Sequence, residues 1–149
     1  MAVDYLYSLG HRHIGYLDPD AYEIRMPHAK KRHQGFLDAM ADHGLVVEDK
    51  WIFPFEERAA LYRQIFSGTA PSALVINKSD YAHILMKEAY EKEILIPKDI
   101  SLIAANDRPF NPFLMPPLSA VEIPLEQLGA RAAELLLHTI TNSESSEPL

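Results

Sequence analysis

Cysteine does not occur anywhere in the 149 residues. Its absence excludes a disulfide framework and thiolate metal sites, and it fits a reducing compartment. Long apolar runs are also missing. None approaches the ~20 residues a membrane span requires, and the amino terminus carries no charged-then-apolar signal segment. The expected location is the cytoplasm, with no membrane partner. Positive charge is scarce: 14 Lys and Arg face 21 Asp and Glu, a formal charge of −7. Duplex DNA binding draws on clustered Lys and Arg that displace counterions, so this balance argues against direct DNA contact. There is no glycine-rich phosphate loop, no nucleophile elbow and no Ser, His and Asp set whose placement can be argued, which leaves catalysis unsupported. His28, His33, His43 and His138 fall in predicted helices without the i,i+4 pairing common in metal sites, and His11 and His13 bracket a strand start. No metal and no cofactor are expected.

What is present suits one core-forming domain. Hydrophobic residues make up 48% of the chain, inside the usual range of roughly 45–50% for soluble domains. A chain of this length buries roughly 68–70% of the surface its unfolded form exposes. Residues 2–9 read as a helix closed by Gly10. A strand follows at 13–17, then a polar turn and a helix opened by Pro27 and carrying Phe36, Leu37, Met40 and Ala41 at helical spacing up to Gly44. "WIFPF" is a short strand whose proline disfavours a central place. A helix over 56–66, the strand "ALVIN" and a helix with Ser79 as N-cap come next. The strand "ISLIAA", a proline-rich loop, the strand "LSAVEI", a helix over 124–141 and a polar, mobile tail over 142–149 complete the chain.

Strands alternate with helices, and "ALVIN" and "ISLIAA" are apolar on both faces. Sheets covered on both sides demand that pattern. The expected fold is α/β, a parallel doubly wound sheet with helices on both faces. Ligands of such folds lie beyond the carboxyl ends of the strands, at the topological switch point. The residues to watch are therefore Asp18 and Asp20 after the first strand, Phe55 after the second, Asn77, Lys78 and Ser79 after the third, and Asn106, Asp107 and Arg108 after the fourth. Asn106 and Asp107 offer donors and acceptors for hydroxyls or ring nitrogens, although turn initiation explains them equally. Lys30, Lys31, Arg32 and His33 stand in the first half of a helix, where the dipole disfavours cations. They read either as a solvated face or as the mark of an anion or hydroxyl-rich partner.

Five blocks, "AVDYLYSLGHRHIGYL" at 2–17, "RHQGFLDAMADHGL" at 32–45, "PSALVIN" at 71–77, "IPKDISLIAAND" at 96–107 and "PPLSAVEIPLEQLGARAAELLL" at 116–137, together resemble the effector domain of lactose-repressor (LacI/GalR) transcription regulators. The resemblance covers almost the whole chain. It implies the second, carboxyl-terminal lobe of a periplasmic-binding-protein-like (type I) domain over 1–123, and a crossover helix over 124–141 that packs on a first lobe not matched by this chain. Met1 falls inside what resembles a family helix, so a truncated or shortened product is expected. The implied partners are a small-molecule effector (a sugar, sugar phosphate or nucleoside), a second copy in a homodimer, and DNA only through a region outside this chain. A periplasmic-type sugar-binding protein of a transport system is the alternative, and a small α/β enzyme a weaker one.

Carried over position by position, Arg32 matches the family's ligand-contacting arginine. Asn106 stands where members commonly have an aspartate, and Asp107 matches the second acid of that pair. Lys78 falls where the family often has Asn, and Ser79 where it often has Asp. A lysine there favours an anionic ligand. Either Phe55 or Phe53 takes the place of an aromatic stacking residue, and Ile123 replaces a polar position at the lobe crossover. The expected ligand-binding set is Arg32, Asn106, Asp107, Lys78, Phe55 and Asp18.

Overall fold

Two apolar segments, Ala73–Ile76 and Ser101–Ala104, set the middle of the sheet, because side chains on both of their faces need cover. In a computed structural model, which describes residues 1–143, they form β3 and β4. The remaining elements in chain order are α1 (Ala2–Ser8), β1 (Ile14–Asp18), α2 (Pro27–Asp42), β2 (Ile52–Pro54), α3 (Ala59–Ser67), α4 (Ser79–Glu91), β5 (Ser119–Ala120) and α5 (Leu125–Ser143). The five strands pair in parallel in the order β2-β1-β3-β4-β5. The expected parallel, doubly wound α/β fold is the one observed.

Residues along each strand alternate between two cores. Ile14, Tyr16, Ala73, Val75 and Ile103 meet Val3 and Leu6 of α1 and Phe36 and Met40 of α2. Leu17, Phe53, Leu74, Ile76, Leu102 and Ala104 meet Leu61 and Tyr62 of α3 and Ala82, Leu85 and Met86 of α4 on the other face. Both cores are dry, so neither face of the central strands shows the polar alternation of a half-wet sheet.

Local signals place the ends. Gly10 and Gly44 adopt φ of +95° and +63° just past α1 and α2, the left-handed cap conformation in which a side chain is strained. Pro27 opens α2, and β2, with its proline, lies on the sheet edge. Several boundaries differ from the sequence reading by a residue or more. The helix expected over 56–66 begins as a 3₁₀ turn, Phe55–Glu57, and becomes α-helical only at Ala59. The strand expected over "LSAVEI" shortens to Ser119–Ala120, because Pro116 and Pro117 lack N–H groups on one side and Pro124 follows on the other. α5 runs on to Ser143, two residues past its expected end, so the tail expected from 142 begins as helix. The rest of that tail, 144–149, lies outside the described residues.

Helix α5 stands off the body, with every residue from Leu125 to Thr141 exposed, including Leu125, Leu128, Leu135 and Leu136. Among the described residues no helix is long and apolar enough to cross a membrane.

Gly15 packs where no larger residue fits. A Cβ built there would stand 2.8 Å from the Trp51 carbonyl oxygen and 2.8 Å from Pro71. The carbonyl belongs to the backbone leading into β2 and cannot swing away as a side chain can. Gly15→Ala is therefore expected to lower unfolding stability by about 1–3 kcal/mol, the usual range for overpacking, measured by urea denaturation.

Candidate functional site

Parallel pairing brings the carboxyl ends of the strands to one rim. The register sets Asp18 beside Pro54, Leu17 beside Ile76, Ile76 beside Ala104 and Ala104 beside Ala120. Chain order reverses between β1 and β3, because β1 leads outward to β2 while β3 leads the other way to β4. The loops after those two strands part there, leaving the crevice where such folds take ligands.

The loop after β1 is built around Asp20. Its Oδ1 accepts the N–H groups of Tyr22 and Glu23 at 3.0 and 2.8 Å, an Asx-type turn that starts the 3₁₀ turn Glu23–Arg25. Its Oδ2 accepts the Tyr81 hydroxyl of α4 at 2.9 Å. The backbone bond from Glu23 and the bond from Tyr81 hold the Asp20 carboxyl below its ordinary pKa, while burial pushes the Tyr81 hydroxyl up to about 12. Ala21 N–H donates to Glu56 at 2.8 Å, tying the loop to the turn before α3.

Arg32, in the second turn of α2, donates from Nη1 to the Asn77 carbonyl at 3.0 Å. His33 Nδ1 lies 2.8 Å from Oδ1 of the buried Asp18. Tyr16 stands edge-on to the His33 ring at 5.1 Å and accepts the Asn77 side-chain amide at 2.7 Å; burial raises its hydroxyl pKa. Asn77 Oδ1 is buried with no hydrogen-bond partner among the described residues. Such an atom is costly inside a protein and uncommon enough to mark a place where a ligand group or water belongs.

Lys78 and Ser79 follow directly. Lys78 Nζ lies 3.0 Å from Glu23 Oε2 and 3.9 Å from Asp80 Oδ2. The sequence points Ser79 to the N-cap of α4; instead Lys78 occupies the cap position and Ser79 is the first helical residue. The capping bond comes from across the sheet, where Asn106 Oδ1 accepts the Ser79 N–H at 3.0 Å and the Ser79 hydroxyl donates to the Asn106 carbonyl. Asn106 is thereby buried, with its amide oxygen turned to the helix. Asp107 is exposed and accepts the Asn111 amide at 2.7 Å and the Arg108 N–H at 2.8 Å. Arg108 reaches Asp80 at 3.2 Å and so supports its own loop.

Of the two aromatic candidates, Phe53 is buried in the core and Phe55 lies at the rim, its ring 4.3 Å from Tyr81 and under the Arg58 guanidinium at 4.5 Å. The six expected residues thus share one rim: Arg32 beside Asn77, Lys78 next in chain, Asn106 on Ser79, Asp107 beside Asn111, Phe55 on Tyr81, and Asp18 on the neighbour of Arg32. Tyr16, Glu23, Tyr81 and Asn111 carry much of the connection and gave no sequence signal, since each is bound to a residue far along the chain. Among the described residues no group of three or more His, Asp or Glu is placed to hold a metal ion.

Comparison with known proteins bears on the family and the fold. The pattern of the periplasmic binding protein-like domain matches residues 3–148. The HTH-type transcriptional repressor PurR of Pasteurella multocida is 30% identical over an alignment that covers 99% of this chain and 44% of the relative. The chain belongs to the LacI/GalR family, in its periplasmic-binding-protein-like domain. Among solved structures, the Escherichia coli transcriptional repressor ascG superposes with a TM-score of 0.82 at 27% identity, covering 95% of this chain and 52% of that one. A LacI family regulator from Lactobacillus casei with bound sucrose superposes with a TM-score of 0.76 at 28% identity, covering 99% and 57%. This LacI/GalR chain therefore spans less than half the length of the PurR relative and about half of the solved ones.

The cross-sheet cap gives a test of how the rim is held. Asn106→Ala removes the acceptor over α4 and is expected to cost about 1 kcal/mol, typical of a lost helix cap. Asn106→Asp keeps an acceptor, adds negative charge at a helix N-terminus, and is expected to hold stability within about 0.5 kcal/mol of the parent or above it. Urea denaturation of both variants reads the difference.

Proposed function

We propose that this chain is the effector-binding part of a bacterial LacI/GalR-type transcription regulator, with 1–123 as the second lobe and 124–141 as a crossover helix that packs on the first lobe. The observation that carries the reading is the rim at the β1/β3 switch point, where Arg32 bonds Asn77, Lys78 follows it and Asn106 holds Ser79, within a chain that matches the family pattern over residues 3–148. The sucrose-bound relative supports a sugar or related small metabolite as effector. The exposed stripe of α5 suits a helix whose partner lies in the other lobe.

In the full protein the effector binds between two lobes and shifts the balance between DNA-competent and DNA-incompetent forms through its difference in affinity for them. DNA contact belongs to a region beyond the matched half, in keeping with the acidity of this one. The protein works in the cytoplasm, as a regulator and not an enzyme. It acts as a homodimer, for which the exposed Ile84, Phe110, Phe113 and Met115 provide apolar surface.

A panel of sugars, sugar phosphates and nucleosides, tested by thermal shift on this chain and on the longest product of its gene, identifies the effector. Arg32→Ala is expected to weaken its binding roughly ten- to hundredfold, the effect of losing a charged hydrogen bond of about 1.5–3 kcal/mol. Stabilisation of parent and variant to the same degree would remove Arg32 from the site.

A further inference from the structure

We propose that Glu23 is a built-in occupant of an anion seat made by Lys78 and His28, and that the effector carries a phosphomonoester group that takes its place. The proposal rests on the effector reading above and adds the charge of the ligand and the residues that select it.

The seat is formed by two elements. Lys78 Nζ, at the N-cap of α4, lies 3.0 Å from one Glu23 oxygen. His28 Nε2, in the first turn of α2, lies 3.0 Å from the other. A single carboxylate is therefore gripped at both oxygens between the starts of two long helices, where the backbone field also favours negative charge. His28 first, and then Lys78, hold the Glu23 carboxyl below its ordinary pKa, so it is ionised at neutral pH. Asp80 lies 3.9 Å from Lys78 but has Arg108 as its nearer partner, at 3.2 Å. Arg32, one residue from Lys78 through its bond to the Asn77 carbonyl, has no carboxylate within ion-pair distance among the described residues. Of the basic residues in the first half of α2, His28 is the one held on this carboxylate, while Arg32 bonds the Asn77 carbonyl and His33 bonds Asp18.

Two features make Glu23 replaceable. The His28 side chain is 53% exposed, and an ion pair with so open a partner holds weakly. The loop does not depend on the Glu23 side chain, because Asp20 holds the N–H groups of Tyr22 and Glu23, and Tyr81 and Glu56 hold Asp20 and Ala21. Glu23 can therefore rotate out while the backbone stays. A phosphomonoester brings roughly two charges and three acceptor oxygens against the one charge and two oxygens of Glu23, enough to engage Lys78 and His28 with an oxygen left over.

Calorimetry with inorganic phosphate, glucose 6-phosphate and glucose on this chain tests the proposal. Glu23→Gln is expected to tighten phosphate binding about tenfold or more, and adding Lys78→Met to that variant is expected to abolish the gain. Glucose 6-phosphate is expected to bind more tightly than phosphate; equal affinities would overturn the sugar-phosphate assignment. Phosphate binding that Glu23→Gln leaves within twofold, or a gain that survives Lys78→Met, would overturn the seat. The two readings fail separately. Glucose binding that Arg32→Ala abolishes, with phosphate indifferent to Glu23→Gln, ends the seat and leaves the effector reading standing. A Lys78-dependent gain in phosphate binding, with no sugar or sugar phosphate preferred over phosphate, does the reverse.

Discussion

Parallel pairing is the constraint on which the rest depends. Strands that run the same way end on the same edge, so residues separated by tens of positions in sequence become neighbours without any direct attraction between them. Asp18 ends β1, Asn77 and Asn106 follow β3 and β4, and the three stand along one edge because these strands are hydrogen-bonded in register. The two apolar cores hold that register, since a slip of one residue would exchange the α1/α2 face of each strand for the α3/α4 face.

Polar contacts then stiffen the row. Asn106 lends its amide oxygen to the start of α4, Arg32 ties α2 to the end of β3, and Asp20 ties the loop after β1 to Tyr81. Each contact joins one strand's loop to the helix that follows another strand. The rim is consequently braced by these contacts, and in the proposed anion seat Glu23 is the side chain that gives way. In the proposed two-lobed arrangement this rim is one wall of a cleft, and the second body that supplies the other wall would also cover the exposed apolar stripe of α5.

The sequence made the architecture legible because its signals are local. Apolar runs at β3 and β4, Pro27 at the start of α2, and Gly10 and Gly44 past helix ends each report on their own few residues, and the structure has each in that place. The site was legible as a set of positions but less so as a set of roles. Asn106 is recognisable as a strand-end residue, yet nothing near it in sequence says that its amide will cap a helix beginning at Ser79. Lys78 reads as a cation aimed at a cleft, and only the fold brings Glu23, on a loop some 55 positions earlier, against it. Phe53 and Phe55 are equivalent by composition; the end of β2 at Pro54 separates them, leaving Phe53 in the core while Phe55 starts a 3₁₀ turn and rests on Tyr81. Non-local partners chosen by packing were the part beyond reach, as with the shortening of β5, where the prolines were visible but the lack of a further neighbouring strand was not.

Amide chemical-shift mapping by NMR, as the chain is titrated with a sugar or sugar phosphate that stabilises it, bears most directly on the claim that the carboxyl edge of the sheet is the effector site. The expected result is a set of shifts concentrated in Asp18–Glu23, Asn77–Asp80 and Asn106–Asp107. Shifts confined to the opposite edge, around Ser72 and Ser101, or none at a saturating concentration of any such compound, would contradict it.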